Sequence, residues 1–298
     1  MLTFRRVELS DRERVAALHH ASPDRGCEYT FGNIFIWRDV YDTKVAFTED
    51  GLCVVRFDQV VEAYLFPFGT GADVKGAVDG MLEDSAALGR KFMIIAASSA
   101  DRDVLNALYP GKFAEHTSRD FAEYVYNSED LIELRGKKYH GKRNHISRFT
   151  QDYPDYAFSE IAPGNIETVR EMNERWYEEM MAEYGDESLA EERVASKNAF
   201  DHFFDLGFKG GYITAGGGVV AFAMGEPINP ETFCVHIEKA CYNTNGAYTV
   251  INRDFAAHFC KSYRYINRED DVGDEGLRKA KLSYNPAILT DKYVVTAL

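Results

Sequence analysis

The 298-residue chain carries 34 Lys and Arg against 48 Asp and Glu, a formal charge of −14, with 45% hydrophobic and 13% aromatic residues. Domains run to about 100–200 residues, so this length fits two, and the apolar content fills two cores and excludes disorder. The net charge opposes broad attraction to nucleic acid or anionic lipid, no apolar run reaches the roughly 18 residues of a membrane span, and MLTFRRVELSDRERV lacks a signal-peptide core, which points to the cytoplasm.

The first half opens with a short alternating stretch at 3–8 and a helix capped by Ser10 through about 20. Strand patterns follow at 43–48, 52–58 and 60–68, then a helix near 71–89, the short apolar run RKFMIIAAS, a helix near 101–109, and two strands around 112–117 and 120–126. The second half repeats the order. A strand at 156–162 precedes helices at 163–185 and 188–206, three strands at 208–215, 219–226 and 232–240, a helix at 247–261, a strand at 263–267, a helix at 274–284 and a last strand at 288–297.

Strand, helix, three strands, helix, strand, helix, strand is the order of the N-acetyltransferase (GNAT) fold, whose central sheet splays open to admit a ligand. The expected fold class is therefore α+β: two tandem GNAT-like (acyl-CoA N-acyltransferase-like) domains with mixed central sheets, at 1–132 and 156–298, joined by a basic segment at 133–155.

That segment interrupts the acidic average. From Arg135 to Gln151 there are six Lys and Arg, two His and no acid. Lys137, Lys138, His140, Lys142, Arg143 and His145, interleaved with Tyr139 and Phe149, form a combination that binds phosphates and stacks on bases; a charged linker facing its own acidic protein is the bland counterpart.

A second concentration of charge lies at INREDDVGDEGLRKAKLSYNP, residues 266–286. On a helix over 274–284, Leu277, Ala280 and Tyr284 share an apolar face, Arg278, Lys281 and Asn285 lie along its flank, and Asp274–Arg278 and Glu275–Lys279 are i,i+4 pairs. The acids Glu269 and Asp270 fall where a GNAT-like sheet opens. A carboxylate there can orient an amino group or take a proton, and Arg278 or Lys281 can hold a carbonyl, a phosphate or a terminal adenosine. Glu238, at the end of the 232–240 strand, stands where this fold often carries a base, against the plainer reading of a strand-end pair with Lys239.

YHGKRNHISRF (139–149), EKA (238–240) and INREDDVGDEGLRKAKLSYNP together resemble the soluble bacterial relatives of the C-terminal domain of phosphatidylglycerol lysyltransferases. The resemblance runs along nearly the whole chain, and G-L-x-x-x-K-x-x-Y is its most specific piece. It implies a tandem acetyltransferase-like fold shared with the Fem-type peptidyltransferases. The implied activity is aminoacyl transfer from aminoacyl-tRNA to an acceptor hydroxyl or amine, with a small molecule or lipid headgroup as acceptor and no required cofactor. Glu269, Asp270 and Glu238 would act on the proton and amino group, and Arg278, Lys281, Asn285 and Tyr284 would bind substrate. Acyl transfer from coenzyme A is the second enzyme reading; CYNTNGAY (241–248) lacks the [QR]-x-x-G-x-[GA] loop that cradles its pyrophosphate. A non-catalytic anion- or partner-binding protein is the third.

The remaining features read blandly. Five cysteines without C-x-x-C spacing suit packed thiols, no histidine shows metal-ligand spacing, GTG (69–71) and the GGG run at 216–218 suit turns, and Trp37 and Trp176 suit the core.

Overall fold

The computed structural model describes residues 2–20, 25–185 and 187–298. Its first sheet runs β1 (Arg5–Arg6), β2 (Lys44–Phe47), β3 (Leu52–Phe57), β4 (Ala63–Tyr64), with β5 (Phe68–Gly69) also beside β3, then β6 (Met93–Ala97); β7 (Phe113–Thr117) closes the far edge. The second is built from β8 (Glu123–Asn127), β9 (Ala157–Glu160), β10 (Lys209–Ala215), β11 (Gly218–Asn229), β12 (Thr232–Ala240), β13 (Tyr265–Asn267) and β14 (Ile288–Thr290), in the order β14-β8-β13-β12-β11-β10-β9. The final strand, β15 (Tyr293–Ala297), returns to the first sheet and fits between β6 and β7. The architecture is α+β with two mixed sheets, as the element order predicts.

Each lobe thus borrows a strand. β8, from the first half, pairs antiparallel with β13 and β14, and β15, from the end of the chain, pairs antiparallel with β6 and β7. The strand read as continuous over 288–297 is two strands in two sheets, parted at Asp291 and Lys292. Division at 132 and 156 therefore does not follow the sheets strand by strand.

The two lobes also share a core. The helix Phe31–Ile36 of the first lobe brings Phe31, Ile34 and Phe35 against a cluster that includes Ala199, Phe200, Phe208 and Phe222 from the second. Burying one such large side chain contributes about 1.5–3 kcal/mol, so this junction is a hydrophobic interior rather than a hinge. Gly32 permits the approach: a Cβ there would sit 2.2 Å from Glu226 Oε1 and 2.4 Å from the Phe208 ring.

In both sheets the step between parallel strands is short. β4 meets β6 through one pair, Tyr64 and Ile94, and β12 meets β13 from Thr232 to Cys234 before continuing to Ala240 with β11 as its partner. Past Cys234 the second sheet gapes, and a bulge at His236 breaks the alternation of β12, so that His236 turns to the shared core and Glu238 to the face covered by the helix Ala247–Phe259.

The basic stretch is not a free connector. Lys137–Tyr139 form a 3-10 turn and His140–Asp152 an α-helix, seated on the second core by Tyr139, Ile146 and Phe149. Tyr139, Ile146 and Phe149 fall seven and three residues apart, on one face of the helix, and bind it to the lobe.

Candidate functional site

Charge after β13 divides into two groups with different fates. Asp274 does not pair with Arg278; its carboxylate caps the Glu275–Leu282 helix by accepting from the Leu277 N–H at 2.5 Å. Arg278 turns back instead to Asp271 at 2.7 Å and Asp120 at 2.6 Å. Burial alone would raise the Asp271 carboxyl, but Arg278, the Tyr124 hydroxyl and the Gly273 N–H outweigh it and hold it at about 2. This is a structural network in which Asp271 is fully engaged.

The helix face also differs from its periodicity. Leu277 and Ala280 are exposed, and Lys281 is the helix residue that is buried. Its Nζ donates to the carbonyl oxygens of Arg268, at 2.6 Å, and Asp270. Ordering these backbone groups outweighs burial of two small apolar side chains, so Lys281 acts as a backbone clamp. Asn285 is exposed with φ of 53°, in the left-handed region that ends the helix.

Arg268, which the sequence reading passed over, occupies the opening of the second sheet. Its Nη2 donates to Glu238 Oε1 at 2.7 Å, and Glu238 Oε2 accepts from Asn252 Nδ2 at 3.3 Å. Asn252 is carried there by the helix Ala247–Phe259, which starts beside the open edge of β12. Two buried polar atoms of this trio, Arg268 Nη1 and Asn252 Oδ1, have no partner. A buried orphan donor and acceptor cost roughly 1–3 kcal/mol each, which marks the spot as one built for something polar.

Lys142 completes the group. It points inward from the basic helix, with Nζ 3.6 Å from the centroid of the Tyr284 ring, and the Arg268 guanidinium lies 5.1 Å from the same ring. Burial, and then repulsion from Arg268, pull the Lys142 ammonium down to about 8. Gly246, with φ of 87°, lets the two helices meet; a Cβ there would lie 2.9 Å from the His145 carbonyl oxygen.

The other basic residues face outward. Lys137, His140, Arg143 and His145 are exposed; Lys138 lies 3.4 Å from Asp130, and Arg143 donates to the Leu134 and Gly136 carbonyls. Lys142 and Lys281 sit on two sides of Arg268, so the basic helix and the ionic segment meet at one place.

A cavity of about 600 Å³ lies between the lobes on the other side of the 268–270 segment. Trp37, Tyr41, Phe57 and Phe121 line it, with Glu28, Glu269, Asp270 and Lys292 at its polar end. Trp37 thus packs against the shared core and also walls the cavity. Lys292 is buried there where the chain crosses from β14 to β15, and it reaches Glu28, Asp270 at 3.9 Å and Glu123 at 3.2 Å. Burial pushes the Glu28 carboxyl up to about 8, and raises Asp270 as well. Val60, Ala96, Glu269 and Val272 all line the cavity with positive φ. Such conformations cost about 1–3 kcal/mol each outside glycine and cluster at functional sites. Val60 and Val272 are 67% and 70% exposed, so the rim is apolar as well.

No helix among the described residues is long and apolar enough to cross a membrane. The family profile described as "Phosphatidylglycerol lysyltransferase, C-terminal" matches residues 20–296. A conserved protein of unknown function from Bacteroides thetaiotaomicron is 38% identical over 100% of both chains, with a TM-score of 0.95. The C-terminal domain of a putative lysylphosphatidylglycerol synthetase from Agrobacterium fabrum is 13% identical, covers 96% of this chain and 91% of its own, and superimposes with a TM-score of 0.68. L-PGS from Bacillus licheniformis is also 13% identical, over 86% of this chain and 84% of that one, at 0.60. A tandem GNAT protein of the clavulanic acid biosynthesis pathway shares the fold at 9% identity and 0.51, covering 100% and 99%. Among curated proteins, an uncharacterized Mycoplasmoides gallisepticum protein is 24% identical over 178 residues, 59% of this chain; the match spans 56% of that relative's length.

Proposed function

We propose, for a chain that belongs to the phosphatidylglycerol lysyltransferase C-terminal family, that it transfers an aminoacyl group from aminoacyl-tRNA to a hydroxyl or amine. The observation that carries this reading is the pair of unpartnered buried atoms, Arg268 Nη1 and Asn252 Oδ1, held by one carboxylate beside Lys142. A donor and an acceptor fixed through Glu238 suit the two polar ends of an aminoacyl group. Arg268 Nη1 faces the ester carbonyl and Asn252 Oδ1 the α-ammonium.

The chemistry follows from these placements. The acceptor oxygen or nitrogen adds to the carbonyl carbon, and Arg268 donates to the oxygen that gains charge. The Lys142 amine takes the acceptor's proton and passes it to the ribose oxygen as the ester C–O bond breaks. A group at about 8 serves both steps near neutral pH. Glu238 is a positioning residue, because both its oxygens are engaged by Arg268 and Asn252. The ester is already activated, so orientation supplies much of the rate.

Lys137, Lys138, His140, Arg143 and His145 would meet tRNA phosphates outside, one helix away from the amine inside. The apolar cavity across the 268–270 segment would take the body of the acceptor, with its polar end toward Asp270 and Lys292. Coenzyme A suits this opening less well, since the turn at 241–248 has no pyrophosphate loop.

The test offers a mixture of charged tRNAs together with small amine, hydroxyl and lipid-headgroup acceptors. Wild-type protein should discharge at least one aminoacyl ester, and Arg268→Lys should do so about 100-fold more slowly. No discharge by wild type, with saturable tRNA binding retained, would make this a binding protein on a transferase scaffold.

A further inference from the structure

Four side chains distant in sequence converge at the junction of the lobes. Cys27 comes from the turn Cys27–Tyr29 of the first lobe, Cys234 and His236 from one face of β12, and Glu269 from the segment after β13. The Cys27 side chain packs against that of Cys234. Cys234 Sγ lies 3.5 Å from His236 Nδ1 and 3.9 Å from Glu269 Oε1, and His236 Nδ1 lies 2.8 Å from Glu269 Oε1. A tetrahedral zinc ion with ordinary Zn–S, Zn–N and Zn–O bonds sets ligand-to-ligand edges of roughly 3.4–3.6 Å. Both sulfur edges fit this with little movement, and the His–Glu edge is a hydrogen bond that an ion would replace and widen.

Two further features point to a cation. The far nitrogen of His236, Nε2, faces Glu226 at 3.2 Å, and the imidazole is 1% exposed. A carboxylate on the second ring nitrogen is the arrangement that fixes a metal-binding histidine's tautomer and leaves the first nitrogen's lone pair free. Glu226 is itself held by the close approach of Gly32. Carboxylates also gather here: Cys27, Glu28 and Glu123 form a second group of possible ligands beside the first, and Glu28 Oε2 is buried without a partner. A buried, unanswered oxygen beside these groups suits a nearby cation.

We propose that Cys234, His236 and Glu269, whose ligand atoms lie within 4.8 Å of one another, bind a divalent ion of zinc's class, and that the Cys27 thiol, packed on Cys234, swings in as the fourth ligand and so clamps the first lobe to β12 of the second. Thiolate and imidazole favour a borderline-soft ion over magnesium or calcium, and with Cys27 engaged four protein ligands close the coordination sphere, so the ion is structural. Binding releases the two thiol protons and any proton on His236 Nδ1. The ion itself takes no part in the transfer chemistry at Arg268 and Asn252, although Cys27 and Glu269 also line the apolar cavity.

Full-length protein purified without chelator is assayed for metal by plasma mass spectrometry, stripped, and titrated with Co²⁺. The expected result is one zinc per chain, a thiolate-to-cobalt charge-transfer band with tetrahedral visible bands, and a lower melting temperature after stripping. Cys234→Ser and Cys27→Ser should abolish or strongly weaken the bands, and Glu226→Gln should weaken metal affinity by roughly 10- to 100-fold. If a cysteine variant does not fold, the wild-type titration and Glu226→Gln decide. Absence of stoichiometric metal together with no saturable cobalt band in wild type would overturn the site. Bands unchanged in both folded cysteine variants would do the same. In either case His236 is a buried cation clasped by Glu226 and Glu269.

Discussion

The Asp271–Arg278–Asp120 network and the Arg268–Glu238–Asn252 trio grow from the same stretch of chain, yet they differ in what they leave over. In the first, each charge meets its opposite, with Asp271 accepting from Arg278, Tyr124 and a backbone N–H. In the second, one guanidinium nitrogen and one amide oxygen are buried and unanswered. Density of charge therefore does not mark a site; an incomplete set of partners does. Both groups are ion pairs, but only the second keeps buried polar atoms unanswered.

The sharpest way to break this contrast is Lys142→Met. Removal of a general base should slow transfer by about 10²–10⁴-fold, measured as single-turnover discharge. Wild-type rate should climb as pH rises through about 8 while the variant stays flat. Stability moves with the same group. The folded state holds Lys142 near 8 against an ordinary 10.5, so the penalty is present in full below pH 8 and is relieved as pH rises toward 10.5. Lys142→Met should remove that slope in denaturant titrations across the range, and a parallel slope in both proteins would refute it.

Next in size, Arg268→Lys keeps the charge beside Glu238 but loses the second nitrogen, and should cost about 100-fold in transfer with a modest change in melting temperature. Equal loss of folding and activity would merge the two groups into one structural network. Asp271→Asn is the mirror case. It should destabilise by about 2–4 kcal/mol in urea titration, since it strips Arg278 of a buried partner, and leave turnover of the folded fraction intact. Because Asp271 is held at about 2, its contribution is present at neutral pH and lost as pH falls from 3.8 through 2; the variant should show a shallower acid limb. The smallest effect belongs to Lys137→Ala and Lys138→Ala. Each lost phosphate contact should flatten the log–log salt dependence of tRNA binding by about 0.7–0.9, and an unchanged slope would place the strand elsewhere.

Local signals carried much of the fold. The strand expected at 232–240 spans Thr232–Ala240, and the helix expected at 71–89 spans Val74–Ala87, capped by Asp73. Periodicity reports such elements because each depends on near neighbours. It does not report partners, so the two strands read near 112–117 and 120–126, close in sequence, lie in different sheets. The site was legible to a similar depth. Lys142 and Glu238 stand in the second sheet's opening, while Arg268 was overlooked although it begins the R-E-D-D run. The signal available was position: a lone base directly after a strand that ends at the fold's opening. Lys281 was misread because helical periodicity ranks Leu277 and Ala280 as apolar and says nothing of two carbonyls waiting beneath the helix. Cys27 and His236 had no readable spacing, being 209 positions apart in a chain whose lobes meet only after folding.

Reciprocal lending of β8 and β15 has a consequence for biosynthesis. The first sheet lacks an interior strand until residues 293–297 have left the ribosome, because β15 lies between β6 and β7. Most multidomain chains mature from the N-terminus as they emerge. Here the leading lobe must wait for the trailing one, so nascent chains arrested before residue 293 should keep the first lobe protease-sensitive, and a stop codon at position 293 should leave it without the strand between β6 and β7.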